Sequence, residues 1–233
     1  MAPEVHVPVG PVTLTGELTV PTDAYGVVVF AHGSGSSRHS PRNQAVAERL
    51  RTRRAGTLLA DLLSADEEDI DRDTGELRFD IGLLADRLVA MIDFIGGRPE
   101  AAGLPVGLFG ASTGAAAALI AAARRPDVVR AVVSRGGRPD LAEGVLHQVQ
   151  APVLLIVGGA DVPVLDYNRA AAARIRATCR LHVVPGGSHL FSEPGALEEV
   201  ADHAAAWFGT YLAAVGDERI LDGYPVGDDD WSR

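Results

Sequence analysis

Ser112 stands in a short segment that is suited to nucleophilic catalysis. It is the central residue of Gly110-Ala111-Ser112-Thr113-Gly114, which follows the strand-like run PVGLF and precedes an alanine-rich helical stretch. A serine on a sharp strand-to-helix turn has a strained backbone and needs small neighbours, and its hydroxyl is exposed at the edge of the sheet. The Thr113 amide, at the helix N-terminus, is then directed at the oxyanion that forms when Ser112 attacks a carbonyl group. The alternative is a glycine-rich turn without chemistry.

A serine hydroxyl needs a general base within hydrogen-bonding reach, and His189 is the best placed of the 7 histidines. It follows the strand-like run CRLHVV in the turn-rich segment PGGSHLF, which places it at the same sheet edge as Ser112. His182 lies within that strand and His203 within the last helix, so we interpret both as structural residues. The alternative for His189 is a solvated loop histidine.

The base in turn needs a carboxylate that fixes its tautomer and stabilises the imidazolium. Asp161 lies on a glycine-containing loop just past the buried run VLLIVG. Asp166 is the weaker rival, because it has the position of an N-cap for a helix that we predict from about 167 to 177. The order Ser112, Asp161, His189 along the chain is the one expected for a triad built around such a turn.

A second glycine-containing turn, Ala31-His32-Gly33-Ser34-Gly35, follows the first buried strand. Its glycines let the backbone bend so that a main-chain N–H faces the reaction centre. We predict that the Ser34 amide is the second oxyanion donor, with Gly33 as the rival. His32 is expected to brace this loop and not to transfer protons.

Two arginines near the end of another strand are candidates for substrate binding. Arg135 and Arg138 lie in the segment SRGGR, at the sheet edge that carries the predicted triad. Their guanidinium groups are suited to a carboxylate or phosphate on the substrate. The alternative is that they form ion pairs with acids such as Asp140.

The elements around these motifs predict an α/β fold with a mainly parallel, doubly wound sheet. The opening VHVPVGPVTLTGELTVP alternates apolar and polar residues and favours an antiparallel hairpin. From Val27 onward, buried strand-like runs alternate with helical segments, which indicates βαβ units. Ligands of such sheets bind at the carboxyl ends of the strands. The remaining helices are predicted at about 41–53, 80–95, 112–125 and 195–212.

We predict a single domain over residues 1–233, in which about 214–233 form an acidic, turn-rich surface extension. The segment between the strand ending near Arg135 and the one starting near Val153 is too short for a large cap domain. The stretch 61–80 contains DIDRDTGELRFD, which superficially resembles a calcium loop. Its glycine falls one place late and Asp80 replaces the final glutamate, so we interpret it as a solvated loop near the active-site rim.

Composition excludes several classes of partner. The 233 residues carry a net charge of −10 without a basic run interleaved with aromatic residues, so nucleic acid is not an expected partner. No apolar run is long enough to span a bilayer, and the first residues lack a secretory pattern, which predicts a cytoplasmic protein without membrane contact. We expect no metal and no cofactor. An edge strand or the last helix is available for a homodimer, but no residue decides it.

Four segments, AHGSGSS, GLFGASTGA, LLIVGGAD and PGGSHLF, resemble the α/β-hydrolase superfamily, and in particular its dienelactone-hydrolase-like branch. The resemblance covers nearly the whole chain and implies a cofactor-free hydrolase that works through an acyl-enzyme intermediate. Dienelactone hydrolases carry cysteine at the nucleophile position, whereas this chain has Ser112, which favours hydrolysis of small carboxylic esters more generally. A thioesterase, an acyltransferase or a perhydrolase would use the same triad. A binding protein without catalysis is the alternative from a different class.

Overall fold

The computed structural model describes residues 3–213 of the chain. The predicted extension at about 214–233 therefore lies outside the described residues. Within them the strands are β1 (Glu4–Val9), β2 (Val12–Thr19), β3 (Val27–Ala31), β4 (Gly56–Ala60), β5 (Val106–Ala111), β6 (Val129–Arg135), β7 (Val153–Gly158) and β8 (Cys179–Val184). The α-helices are α1 (Pro41–Thr52), α2 (Ala65–Thr74), α3 (Ile81–Gly96), α4 (Thr113–Arg124), α5 (Val162–Ala172) and α6 (Ala196–Leu212). Short 3-10 segments cover Leu77–Phe79, Pro99–Ala101 and Pro139–Gln148.

The described strands form one sheet in the order β1-β2-β4-β3-β5-β6-β7-β8. β1 and β2 form an antiparallel hairpin and β2 also runs antiparallel to β4, whereas the other neighbouring pairs are parallel. This arrangement confirms the predicted α/β-hydrolase fold with its N-terminal antiparallel hairpin. The order also brings the carboxyl ends of β3, β5, β6, β7 and β8 to one edge, where the candidate residues lie.

Helices cover both faces of the sheet, as its fully buried central strands require. The core on one face contains residues of α3 and α4, and the core on the other face contains residues of α1 and α6. α4 is rich in alanine because it is buried directly against the sheet: Ala115 to Ala118 are all fully buried. Small side chains let this helix, which starts at the Ser112 turn, approach the strands closely.

One predicted helix has different bounds in the structure. α5 begins at Val162, about five residues earlier than the sequence pattern suggested. Pro163 lies in its first turn, where the missing N–H of proline carries no cost. The prediction that Asp166 is an N-cap is therefore wrong: Asp166 lies inside α5, where its carboxylate pairs with Arg169 at 3.2 Å.

The interpretation of the acidic stretch as a solvated loop is also wrong. Most of it forms α2, which begins with a capping box between Ser64 and Glu67 and ends at Gly75 in the left-handed conformation. Asp71 is buried and accepts from the Arg78 backbone N–H at 3.0 Å and from the Arg78 guanidinium at 2.5 Å. A helix whose Asp71 is paired with Arg78 of the following 3-10 segment does not have the geometry of a calcium loop.

No helix in the stretch 3–213 combines the length and the apolar character that crossing a bilayer requires.

Candidate active site

Ser112 lies on a tight turn between β5 and α4, with φ of 51° and ψ of −120°. This conformation is strained for a residue with a side chain, and the surrounding packing maintains it. A Cβ at Gly110 would clash with the backbone of Ala115, and one at Gly114 would clash with the carbonyl groups of Ala31 and His32. Both glycines are therefore required by close backbone approaches, and the turn is a nucleophile elbow in its geometry.

His189 and Asp161 form a hydrogen-bonded pair at the same edge of the sheet. His189 Nδ1 lies 2.7 Å from Asp161 Oδ2, although the two residues are far apart in the chain. Asp161 follows β7 and His189 follows β8, so parallel pairing of these strands brings their loops together. The side chain of Asp161 is 14% exposed and that of His189 is 40% exposed. The carboxylate is thus sheltered, while the imidazole is partly exposed at the sheet edge.

The His189 loop and the Ser112 turn meet across the end of β6. The Ser112 amide donates to the Arg135 carbonyl oxygen at 3.2 Å, and the Arg138 amide donates to the Ser112 carbonyl oxygen at 3.1 Å. On the other side of the same segment, a Cβ at Gly136 would lie 3.1 Å from the His189 carbonyl oxygen and 3.6 Å from ring atom Cε1. The backbone from Arg135 to Arg138 therefore adjoins both Ser112 and His189.

The loop after β3 contacts the Ser112 turn directly. The Ser34 amide donates to the Thr113 hydroxyl oxygen at 2.9 Å, and Thr113 itself is buried. A Cβ at Gly33 would lie 3.2 Å from the Ser112 Cβ, so the segment with both candidate donors lies close to Ser112. The structure thus brings Ser34, Gly33 and Thr113 together around Ser112. In this structure the Ser34 N–H is engaged by the Thr113 side chain.

His32 holds this loop in place through both of its ring nitrogens. The Leu62 amide donates to Nε2 at 3.1 Å, which leaves the proton on Nδ1, 3.0 Å from the Gly33 carbonyl oxygen. Burial lowers the pKa of His32, although the Gly33 carbonyl and the charge of Asp61 act in the opposite direction. A neutral imidazole fixed by two backbone groups braces the loop and is poorly suited to proton transfer.

A cleft of about 540 Å³ opens beside the loop after β3. Its floor contains His32, Gly33 and Ser34, and Leu62, Leu63 and Leu84 contribute apolar surface. α2 supplies a charged rim with Glu68, Asp71 and Arg72. Partial burial, assisted by the charge of Asp61, raises the pKa of Glu68 on this rim. Sequence reasoning missed α2 as a wall of the cleft, although the capping pattern Ser64-x-x-Glu67 was visible.

The two candidate arginines differ in their surroundings. Arg138 forms a bidentate ion pair with Asp140, at 2.9 and 2.7 Å, and its guanidinium lies 4.9 Å from the centroid of the Tyr167 ring. Arg135 is buried, with Asn43 Oδ1 at 3.5 Å from Nη2 and no hydrogen-bond partner for Nε or Nη1 in the described part of the chain. Burial, together with the nearby Arg42, lowers the pKa of Arg135 to about 10. Arg135 is therefore the less satisfied cation.

The sheet order and the strand-to-helix turn at Ser112 define an α/β-hydrolase fold. A model of the dienelactone hydrolase family matches residues 16–212. The crystal structure of a dienelactone hydrolase from Anabaena variabilis is 56% identical in sequence with a TM-score of 0.90, covering 91% of this chain and 98% of that one. The chain belongs to the dienelactone hydrolase family.

Two further kinds of relative were found. Proteins from two Mycobacterium tuberculosis strains, which carry the provisional name phosphoribosyl transferase, are 56% identical over 213 residues, or 91% of this chain. That match covers 47% of their length, so the chain spans about half of these curated relatives. Est1E from Butyrivibrio proteoclasticus has the same fold, with a TM-score of 0.73 at 16% identity over 88% of this chain and 98% of that one.

Proposed function

We propose that the chain is a serine hydrolase that cleaves small carboxylic esters through an acyl-enzyme intermediate. The single observation that carries the proposal is the strained Ser112 on a glycine-packed elbow, at the same sheet edge as the His189–Asp161 pair. Strain of this kind persists where surrounding structure enforces it, and it is typical of functional positions. Membership of a hydrolase family is consistent with this chemistry.

In the proposed reaction, Ser112 Oγ attacks the ester carbonyl carbon while His189 Nε2 takes its proton. Asp161 accepts from His189 Nδ1–H and stabilises the imidazolium. The Thr113 and Ser34 amides donate to the oxyanion, which requires that the Ser34 N–H share or leave the Thr113 hydroxyl. The tetrahedral intermediate then collapses, and His189 gives its proton to the departing alcohol. Water attacks the acyl-enzyme with His189 again as base, which releases the acid and regenerates Ser112.

A cleft that is lined by Ser34, but not by Ser112, Asp161 or His189, lies beside the proposed site and has the size of a small-molecule site. Its volume of about 540 Å³ lies within the usual range for small-molecule sites. The segment between β6 and β7 contains the 3-10 helix Pro139–Gln148 and has no room for a large cap inserted at this point. Among proteins of the same fold, P91 is a dienelactone hydrolase-like promiscuous phosphotriesterase, and Est1E was solved with ferulic acid bound.

The competing enzyme proposals differ in the group that leaves the substrate and in the molecule that accepts the acyl group. A thioesterase, an acyltransferase and a perhydrolase would share the acyl-enzyme step with Ser112. A protein that binds a ligand in the cleft without turnover is the alternative outside enzymes. The name phosphoribosyl transferase belongs to relatives about twice as long as the matched part, and we assign ester hydrolysis to the part that this chain shares with them.

Turnover of a panel of short-chain aryl esters and thioesters tests this proposal. Wild-type protein should hydrolyse the esters with an initial burst of released phenol, and Ser112→Ala should lose activity by at least about 10⁴-fold. Ser192→Ala, which removes an exposed serine of the His189 loop, is the matched control and should retain activity. Full activity in Ser112→Ala would exclude the mechanism. Saturable binding without turnover in the wild type would support the non-catalytic alternative.

For substrate recognition we assign a subsite for an anionic group to Arg135 and not to Arg138. The main chain of Arg135 adjoins Ser112, and two nitrogen atoms of its guanidinium have no partner among the described residues, whereas Arg138 is already paired with Asp140. A carboxylate or phosphate on the substrate would supply the missing acceptors. Arg135→Met should lower kcat/KM for a half-ester of a dicarboxylic acid by about 10- to 100-fold relative to a neutral ester of equal length. Arg138→Met is the control, and equal losses on both esters would contradict the assignment.

A further inference from the structure

Three potential metal ligands converge between β8 and α6, outside the proposed active site. They are His182, Glu199 and His203, and one ligand atom from each lies within 4.8 Å of the others. His182 Nε2 is 2.7 Å from Glu199 Oε1. The His182 and His203 rings contact each other in a tilted arrangement, with centroids 3.7 Å apart and planes inclined by 34°. Two imidazoles and one carboxylate therefore share one small volume.

The secondary structure explains why these side chains meet. Leu181 and Val183 of β8 pack with the α5 side of the sheet, so the alternating residues His182 and Val184 face the α6 side. Glu199 and His203 are four residues apart on α6 and thus share one helix face. The sequence contains both spacings, but it does not show that α6 lies against this part of β8. From the sequence alone, His182 in a strand and His203 in a helix are therefore interpreted as structural residues.

We propose that His182, Glu199 and His203 form a binding site for a divalent first-row transition metal ion, with Zn²⁺ as the best-suited ion. Two imidazole nitrogens and one carboxylate oxygen are a ligand set that zinc accepts, with water in the remaining position. Calcium and magnesium prefer sets of oxygen atoms, so the two imidazoles disfavour them. Without the ion, the proton on His182 Nε2 is shared with Glu199. When the ion binds, His182 changes tautomer so that Nδ1 carries the ring proton, and Nε2 and the Glu199 carboxylate oxygen become ligands.

The site is open enough for an ion to enter. The side chain of His182 is 24% exposed and that of Glu199 is 37% exposed. The protein carries a net charge of −10, which attracts cations to its surface. Because the cluster shares no residue with the His189–Asp161 pair, the proposal is independent of the catalytic mechanism.

The position of the cluster gives the ion a structural role. The connection between β8 and α6 covers residues 185–195 and carries His189. His182 precedes this connection and Glu199 follows it. An ion held by both would clip the two ends of the His189 loop together and stabilise the folded state, because the unfolded chain lacks the preformed site.

Calorimetric titration of metal-free protein with Zn²⁺ tests the proposal. Wild type should bind one ion per chain at this site. His203→Gln and Glu199→Gln should each raise the dissociation constant by at least about tenfold. His147→Gln, which changes an exposed histidine in the Pro139–Gln148 segment, should bind zinc as the wild type does. His189→Gln should also bind normally, which separates this site from the active site. Equal binding by wild type and His203→Gln, or loss of binding in His189→Gln, would overturn the proposal.

Two further readouts remain informative if a variant is less stable. Co²⁺ added in place of Zn²⁺ should give the intense visible absorption of a four-coordinate site in wild type, and a weak octahedral spectrum in His203→Gln. Zn²⁺ should raise the Tm of wild type and of His147→Gln but not of His203→Gln. A Tm rise of the same size in all three proteins would contradict the assigned ligands.

Discussion

The loops after β3 and after β8 each carry a histidine at the same edge of the sheet, but the two environments differ. His32 is buried, and both of its ring nitrogens are bound to backbone groups of Gly33 and Leu62. His189 is 40% exposed on its side chain and has a carboxylate, Asp161, on Nδ1. The two histidines therefore share a position at the ends of the strands, but they differ in how readily each can accept and release a proton.

The difference shows what a general base requires. A base must gain and lose a proton, so the protein has to stabilise its charged form and leave one nitrogen accessible. Burial lowers the pKa of His32 and favours the neutral ring, which fits a brace. At His189, Asp161 accepts the hydrogen bond from Nδ1, so Nε2 is the nitrogen left to take a proton.

Replacing each histidine in turn gives the largest contrast in activity. His189→Gln should lower kcat by about 10³-fold or more, because no group then takes the Ser112 proton. His32→Gln should lower kcat at least tenfold less, since it disturbs only the loop that carries Ser34. Steady-state kinetics on one aryl ester measure both variants. Equal losses would remove the functional distinction between the two histidines.

Stability should show the reverse order. His32→Leu leaves the Leu62 N–H without its acceptor in a buried position, which should cost about 1–3 kcal/mol of unfolding free energy. His189→Gln changes a part-exposed side chain and removes its contact with Asp161. Apart from that contact, the unfolding free energy should fall by well under 1 kcal/mol, as for a typical surface substitution. Urea denaturation followed by circular dichroism measures both. A larger loss of unfolding free energy in His189→Gln than in His32→Leu would contradict the structural role that we assign to His32.

Thr113 links the His32 loop to the Ser112 turn, and its hydroxyl is the next point to test. Thr113→Val keeps the shape but removes the acceptor of the Ser34 N–H, and should lower kcat about tenfold through a misplaced oxyanion donor. Thr113→Ser keeps the acceptor and should retain most of the activity. An increase of kcat in Thr113→Val would show that the hydroxyl competes with the oxyanion for Ser34.

The buried His32 should make its own contribution to the pH dependence of the unfolding free energy. The pKa of His32 is 6.5 in the unfolded chain and lower in the folded state, so below pH 6.5 the unfolded chain binds the proton first. Unfolding free energy should therefore fall as the pH decreases from 6.5 toward the folded pKa, and this contribution is constant above 6.5. His32→Leu should lose this slope, which for one proton is at most about 1.4 kcal/mol per pH unit. Identical slopes in wild type and His32→Leu would contradict a pKa lowered by burial.

Much of the fold was predictable from local patterns. The hairpin, the buried strands and α3, α4 and α6 follow from alternation, β-branched runs and helical spacing. The bounds of α5 were missed because Val162 and Pro163 directly after Asp161 looked like a loop. α2 was missed because its residues are mostly acidic and have no apolar stripe, so only the caps at Ser64 and Gly75 indicated a helix.

Those parts of the candidate site that depend only on residue type and on the strand that a residue follows were predictable from the sequence. Ser112, Asp161 and His189 could be placed at one edge from the chain order alone, and their catalytic roles stay predictions. Interactions across the fold were not predictable, because they depend on which elements become neighbours. The Ser34–Thr113 hydrogen bond and the His182–Glu199–His203 cluster are of this kind. The single domain over 1–233, the cytoplasmic location and a homodimer also stay predictions.

Covalent labelling with a fluorophosphonate probe, followed by intact mass and peptide mapping, tests the central proposal most directly. We predict one adduct per chain on Ser112 in wild type, a much slower reaction in His189→Gln and none in Ser112→Ala. Folded wild-type protein that stays unlabelled, or that is labelled elsewhere while Ser112 remains free, would contradict the proposed serine hydrolase.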